Sequence, residues 1–111
     1  MNKKLILSCL LAMFCLGASS ALASDNIGRS LRYQAESNYR IAKKAYISTM
    51  DSYGDNLESM PQQEKDSVCT KIRRGLHDNR TQVIREDIWN QKRFEKYSEE
   101  LESYSNTIGC P

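Results

Sequence analysis

Few residues of this 111-residue sequence carry side chains that could do catalytic or metal chemistry. His77 is the only histidine, and Asp78 beside it could orient the imidazole as a general base. No nucleophile or second ligand stands at a recognisable spacing from His77, and the sequence contains no CxxC, HxxxH or acidic calcium loop. We therefore predict a non-enzymatic protein with no catalytic residue, no metal ligand and no cofactor.

Two cysteines are the residues whose types and positions do indicate a chemical reaction, the formation of a disulfide. Cys69 and Cys110 are the two cysteines that follow the first 23 residues, and an oxidising compartment would join them in a disulfide. The bond would close a loop of about 40 residues, which the chain-entropy description values at about 4 kcal/mol. A pairing between two copies of the chain is the alternative to this intramolecular bond.

The first 23 residues have the three parts of a secretory signal peptide. Two lysines come first, an apolar run spans residues 5–16, and small residues follow. The residues that mark the expected cleavage site are Ala21, Ala23 and Ser24. The apolar run is shorter than the roughly 20 residues of a membrane span. We expect residues 1–23 to be cleaved and residues 24–111 to form one small helical domain, periplasmic or secreted, in a bacterium.

The balance of acidic and basic residues excludes some classes of binding partner. The net charge of +2 comes from Lys3 and Lys4, because the remaining 14 basic residues equal the 14 acidic ones in number. A neutral domain lacks the one-signed basic face that nucleic-acid binding needs. We expect no nucleic-acid partner and no stable membrane insertion after cleavage.

The spacing of apolar residues predicts the helices that position these groups. A first helix is expected from about Ser30 to Tyr53, with Gly54 as a left-handed cap. A second starts near Ser59, which would form a capping box with Gln62, and ends at residues 77–80. Tyrosines recur at heptad spacing in the first and last segments, so we expect one buried seam between those helices. The seam residues are Tyr39, Tyr46, Tyr53, Phe94, Tyr97, Leu101, Tyr104 and Ile108.

The last part of the chain, after residue 80, has apolar residues at helical spacing only from Phe94 onward. A simple hairpin turning near Asn79 would place Cys69 about 15 Å and Cys110 about 45 Å from the turn, too far apart for a disulfide. We therefore expect a protruding elbow, a kink or a short hairpin around residues 80–93. The predicted fold class is all-α: a long N-terminal helix and a helical hairpin, stapled by one disulfide.

The elbow carries the candidate partner site. Trp89 lies off the seam in a protruding segment, as anchors of protein interfaces often do. The alternative is that this ring covers the small core. The residues that we assign to the candidate partner site are Arg85, Ile88, Trp89 and Arg93. The tyrosine seam itself has a second interpretation as a partner groove, because tyrosine is enriched at interfaces.

Small size, export, helical character and one disulfide are similar to the periplasmic acid-stress chaperones, a likeness of architecture without a shared motif. The segment from Cys69 to Cys110 also resembles small secreted Gram-negative domains in which two cysteines join helices. Neither resemblance assigns a functional residue. We predict a protein that binds another envelope protein, as an accessory subunit of an envelope, secretion or conjugation system or as an inhibitor or immunity protein. A stress chaperone is the alternative, and homo-oligomerisation is left open.

Overall fold

The computed structural model describes the backbone of residues 2–111 and the side chains of residues 27–111. Its elements, in chain order, are α1 (Asn2–Tyr53), a short 3-10 helix (Leu57–Ser59), α2 (Gln62–Arg85) and α3 (Ile88–Ile108). The described residues contain no strand, and none of their helices is long and apolar enough to cross a membrane. The predicted all-α class with three helices is therefore confirmed.

The chain forms two units, residues 1–30 and residues 31–111. The first unit is helical from Asn2 onward. The predicted signal-peptide cleavage site at Ala21, Ala23 and Ser24 lies outside the residues whose side chains the structure describes, so cleavage stays a prediction. All contacts described below lie within residues 31–111.

The end of α1 falls at Tyr53, as predicted, but for a different reason. Gly54 is not left-handed, because Gly109 is the only described residue with a positive φ. Instead, the Gly54 N–H donates to the Met50 carbonyl at 2.8 Å, and a Cβ at position 54 would overlap that same oxygen. A close approach of backbone to backbone therefore explains the glycine at this helix end.

The start of α2 also differs from the sequence prediction. Pro61 is the N-cap residue of α2, and no side chain caps its N-terminus. The predicted capping box does not form, because the Ser59 hydroxyl donates to the Asn56 carbonyl in the short 3-10 helix. Pro61 has the extended backbone of an N-cap residue, and its carbonyl accepts the first helical hydrogen bond, from the Lys65 N–H at 3.0 Å.

The predicted end of α2 at residues 77–80 is wrong, since α2 continues to Arg85. Asn79, read as a turn-former, is fully buried in the helix. Its Nδ2 donates to the Gly75 carbonyl at 2.7 Å and to the Ala35 carbonyl of α1 at 3.0 Å. Asparagine is usually unfavourable inside a helix, because its side-chain amide competes for the hydrogen bonds of the backbone. Here the Asn79 amide instead joins α2 to α1.

A two-residue turn, Glu86–Asp87, separates α2 from α3 and lies within residues 80–93, where the sequence predicted an elbow, a kink or a short hairpin. Asp87 is the N-cap of α3, and its Oδ1 accepts a hydrogen bond from the Asn90 N–H at 3.1 Å. At the other end, Gly109 has φ 79° and caps α3 in the left-handed conformation. Glycine occupies this conformation without steric cost, so it is well suited to end α3 here.

The disulfide joins Cys69 of α2 to Cys110 just after α3, with 5.5 Å between their Cα atoms. The turn lies seven or eight residues beyond Asn79, so the two arms of the hairpin become similar enough in length for the cysteines to meet. The intramolecular pairing predicted from the sequence is present in the fold. It closes the open end of the α2–α3 hairpin.

Contacts between helices give their directions. Tyr39 stacks on Tyr97 and Tyr46 on Tyr104, so α1 and α3 run parallel, while α2 runs antiparallel to both. All three helices come close together at Gly75 of α2. A Cβ there would lie 2.8 Å from the Leu101 side chain and 3.2 Å from the Asn38 carbonyl oxygen. Only a residue without a side chain lets α2 lie this close to both neighbours.

Candidate functional site

The end of the α2–α3 hairpin is the most apolar exposed part of the described chain. We call residues 84–93 the hairpin tip. Trp89 is 86% exposed and Ile88 is 68% exposed in the first turn of α3. Ile84, in the last turn of α2, is 85% exposed. Three large apolar side chains within six residues, all left in water by the fold, are the usual mark of a contact surface.

The four residues predicted to bind a partner all fall on this tip. Arg85 is the last residue of α2, Ile88 and Trp89 begin α3, and Arg93 lies one turn further on. The guanidinium of Arg93 lies 4.8 Å from the centre of the buried Phe94 ring, which holds its stem against the domain. Whether the four residues contact a partner stays a prediction.

Ile84 belongs to the same surface but was not assigned to the site. It lies off the seam in the sequence, and its neighbour Ile88 follows at the helical interval of four. The Glu86–Asp87 turn between them is what brings both to one end of the α2–α3 hairpin. Trp89 and Ile88 are adjacent in α3, so the sequence groups them directly. Ile84 lies on α2, and its position beside them follows only from the place of the turn.

The charge of the tip is positive because its acids are already engaged. The Glu86 carboxylate pairs with Arg32 of α1 at 3.3 Å, and Asp87 caps α3. Within the described residues, no ion pair involves Arg85, Lys92 or Arg93. The tip therefore presents an indole, two isoleucines and three cations that have no ion-pair partner within the described residues.

The tyrosine seam lies elsewhere, between α1 and α3. The ring centres of Tyr39 and Tyr97 are 4.0 Å apart, and those of Tyr46 and Tyr104 are 3.9 Å apart, both stacked nearly parallel. All eight predicted seam residues are buried or packed against the core. The fully or nearly fully buried members are Tyr39, Phe94, Leu101 and Ile108, and the partly buried ones are Tyr46, Tyr53, Tyr97 and Tyr104.

Glu100 links the two tyrosine stacks. Its carboxylate accepts hydrogen bonds from the Tyr39 hydroxyl at 2.5 Å and from the Tyr104 hydroxyl, and it pairs with Lys43 at 3.2 Å. The hydroxyls of Tyr39 and Tyr104 are therefore engaged within the protein, although the rings belong to two different helices. A partly buried carboxylate needs such donors, because burial without them would be costly.

The surroundings of Glu100 shift the pKa values of the whole cluster. Burial acts to raise the pKa of the Glu100 carboxyl, but the hydrogen bonds from Tyr104, Tyr39 and Lys43 outweigh it and the pKa falls below its usual range. Burial, followed by the bond to Glu100, raises the pKa of both tyrosine hydroxyls. The bond to Glu100 also raises the pKa of Lys43. These shifts widen the pH range over which Glu100 is ionised and its donors are protonated.

We expect the Glu100 cluster to make stability fall in acid. Because folding lowers the Glu100 pKa, its contribution is complete above the unfolded pKa of about 4.5 and is lost as the pH falls through the lower folded value. Urea unfolding of wild type at a series of pH values between neutrality and strong acid should show this loss. The control Glu100→Gln should be less stable at neutral pH but should lose less stability across the acid window. Parallel curves for the two proteins would contradict this assignment.

His77 lies at a different place in α2 from the one that the sequence suggested. It lies in the middle of α2 with its side chain exposed, not at the helix end that the sequence suggested. Its neighbour Asp78 accepts a hydrogen bond from Asn38 of α1 at 2.5 Å, so that carboxylate serves the α1–α2 contact. Among residues 27–111, no group of three histidine, cysteine or acidic side chains could hold a metal ion.

The fold and the tip together define a class of protein: a small, disulfide-stapled three-helix domain with an exposed apolar and basic hairpin tip. Comparison with known proteins takes the classification no further. No protein-family model, curated protein or solved structure matches the chain.

Proposed function

We propose that this chain is a small exported, non-enzymatic protein that binds another protein through the hairpin tip. The observation that carries the proposal is the exposure of Trp89, Ile88 and Ile84 at one end of a rigid, disulfide-closed hairpin. Tryptophan in a desolvated contact is among the commonest anchors of protein interfaces. Arginines around an apolar centre supply the polar rim that such interfaces use.

Rigidity supports this function. The tip is fixed on α1 by the Arg32–Glu86 pair, and the amide of Gln91 donates to the Val83 carbonyl at 2.9 Å across the turn. A preorganised surface loses little conformational freedom on binding, so more of the contact energy appears as affinity. The fold thus holds three apolar side chains in a fixed arrangement outside its core.

The chemistry of the tip favours an acidic, partly apolar surface on the partner. Arg85, Lys92 and Arg93 have no acidic partner within the described residues, and opposite charge on the partner would speed association and select the correct surface. An accessory subunit of an envelope, secretion or conjugation apparatus would use such a contact. An inhibitor or immunity protein that covers a toxic enzyme would use it equally.

Photo-crosslinking in the producing cell tests the proposal. A photoreactive phenylalanine analogue placed at Ile88 should give one discrete covalent adduct, because this side chain lies in the tip. The same analogue at Ile41, an exposed isoleucine of α1, is the matched control and should give none. Addition of Trp89→Ala to the Ile88 probe should remove the adduct, with an expected loss of about 2 kcal/mol or more in binding.

The Trp89→Ala variant should keep its melting temperature, because the ring is 86% exposed and fills no core space. Unfolding of this variant would show that Trp89 covers the core. Equal adducts at Ile41 and Ile88, or none at either position, would reject the tip as the binding surface.

A periplasmic stress chaperone is a second candidate, and one observation favours it. The two tyrosine stacks depend on the ionised carboxylate of Glu100, so acid would loosen the α1–α3 contact and uncover apolar rings. A chaperone should then bind an apolar dye on acidification while its helical content persists. A protein binder that works through its tip should show no dye binding until it unfolds.

A further inference from the structure

A groove runs along the α2–α3 hairpin from the disulfide at its open end toward the hairpin tip. It has a volume of about 590 Å³ and is lined by side chains of both helices. The lining residues that matter below are Arg73, Leu76, His77, Arg80, Ile84 and Glu102. Ile84 also belongs to the hairpin tip, so the groove and the tip form one continuous surface.

The α2 wall of the groove is long enough to lie along a helix of a partner, whereas the α3 wall is shorter. Its α2 wall extends from Cys69 to Ile84, and 15 residues at 1.5 Å each span about 22 Å, or roughly four helical turns. Leu76 lies partly exposed within this wall, and Ile84 lies almost fully exposed at its end. Apolar positions at both the middle and the end of such a groove suit the apolar stripe of an amphipathic helix.

The charges of the groove indicate which charge the polar face of a bound helix would carry. Arg73, His77 and Arg80 follow one another at helical intervals of four and three, so they stand on one side of α2. Glu102 is the acid that lines the groove, and it pairs with Arg80 at 3.6 Å. Within residues 27–111, Arg73 has no ion-pair partner. The groove therefore has a surplus of positive charge beside its apolar positions.

We propose that this groove binds an acidic amphipathic helix, about four turns long, of the partner protein. This inference rests on the proposed protein-binding function and names the chemistry of the partner. The helix would place leucine-like side chains against Leu76 and Ile84 and carboxylates against Arg73 and Arg80. A second copy of the chain fits less well, because a two-fold axis would face this basic row with itself.

Binding of designed peptides tests the proposal. The probe is a fluorescent four-turn peptide with leucines on one face and glutamates beside them, and its matched control has every glutamate replaced by lysine. We expect the glutamate peptide to bind wild type, with an affinity that falls as salt is raised, and the lysine peptide to bind at least about tenfold more weakly. Amide shifts of labelled protein should move at the groove residues of α2 and at Glu102.

Charge-reversal variants locate the contact. Arg73→Glu should weaken binding of the glutamate peptide about tenfold, and Arg73→Glu/Arg80→Glu should weaken it further. Lys44→Glu makes the same charge change on an exposed position of α1 outside the groove lining, and it should bind as wild type does. Equal losses for Arg73→Glu and Lys44→Glu would show attraction to net charge alone and would overturn the proposal.

Two further outcomes would also overturn it. Peptide binding that moves only amides of residues 84–93 would place the contact at the tip and leave the proposed function standing without the groove. Failure of the glutamate peptide to bind, together with Arg73-dependent binding to phosphatidylglycerol vesicles, would make an anionic lipid surface the occupant. The Ile88 photo-crosslink tests binding at the hairpin tip, and the peptide experiment tests binding in the groove. A negative result for the groove is therefore distinguishable from a negative result for the proposed function.

Discussion

Loss of the Cys69–Cys110 bond should lower the free energy of unfolding by about 4 kcal/mol, according to the chain-entropy relation for a 41-residue separation. The bond fastens the start of α2 to the end of α3, so breaking it frees the open end of the hairpin. Cys110→Ser is the cleaner variant, because Cys69 is buried and a serine there would also bury a hydroxyl. Urea unfolding of oxidised wild type and of the variant measures the difference.

Reduced wild type is the matched control for this substitution. It should unfold close to the Cys110→Ser variant, since both lack the crosslink and they differ only by sulfur in place of oxygen at position 110. A loss below about 1 kcal/mol would mean that the reduced unfolded chain is already restrained, against the chain-entropy account. Migration of oxidised wild type as a covalent dimer on a non-reducing gel would contradict the intramolecular pairing.

The disulfide also shows how one covalent constraint can locate a turn. Local propensity places a turn at residues 77–80, where asparagine, aspartate and histidine are adjacent. The bond between Cys69 and Cys110 instead requires hairpin arms of similar length, which points to the region of Trp89. The actual turn, Glu86–Asp87, lies two residues before Trp89. A long-range distance was therefore a better guide to the topology than local turn chemistry.

Local turn chemistry failed because Asn79 is used for tertiary packing. Its amide donates to carbonyls of both α1 and α2, which nothing in the local sequence reveals. Its Oδ1 lacks a hydrogen-bond partner within the described protein, so burial of this amide has a cost. One physical gain is that a buried polar side chain with directional bonds fixes the register of the two helices.

The candidate site was predictable only in part. Trp89 and Ile88 break the seam rhythm, so their exclusion from the core could be inferred from spacing. The exposure of Ile84 could not be inferred, because it depends on α2 continuing past Asn79 to Arg85. The identity of the partner depends on a second molecule, and the chain alone encodes only the shape and charge that would recognise it.

The tyrosine stacks could be predicted from the heptad spacing, but their dependence on Glu100 could not. Seven-residue spacing in two parallel helices brings Tyr39 opposite Tyr97 and Tyr46 opposite Tyr104. Glu100 lies between two stacked positions of α3, where an acid in the sequence suggests only a solvated helix face. Its role follows from the hydroxyls of rings that belong to two different helices.

Tyr39→Ala should lower the free energy of unfolding by about 3 kcal/mol or more, by analogy with other large-to-small changes of buried rings. The Tyr39 ring is 7% exposed, stacks on Tyr97, and belongs to the main hydrophobic cluster. Its removal leaves a cavity between α1 and α3 and takes one hydrogen bond from Glu100. Urea unfolding at neutral pH measures the whole effect.

Two phenylalanine variants separate the hydroxyl from the ring. Tyr39→Phe keeps the stack and removes the bonds of the hydroxyl with Glu100 and Lys43, so it should cost about 1.5–3 kcal/mol, the usual range for a hydrogen bond to a charged group. Tyr46→Phe is the matched control, because no hydrogen bond involves its hydroxyl in the described fold, and it should unfold nearly as wild type does. If Tyr39→Ala keeps wild-type stability, the tyrosine seam is not a core. A Tyr39→Ala variant that stays folded but gives no Ile88 photo-adduct would assign the seam to partner binding instead.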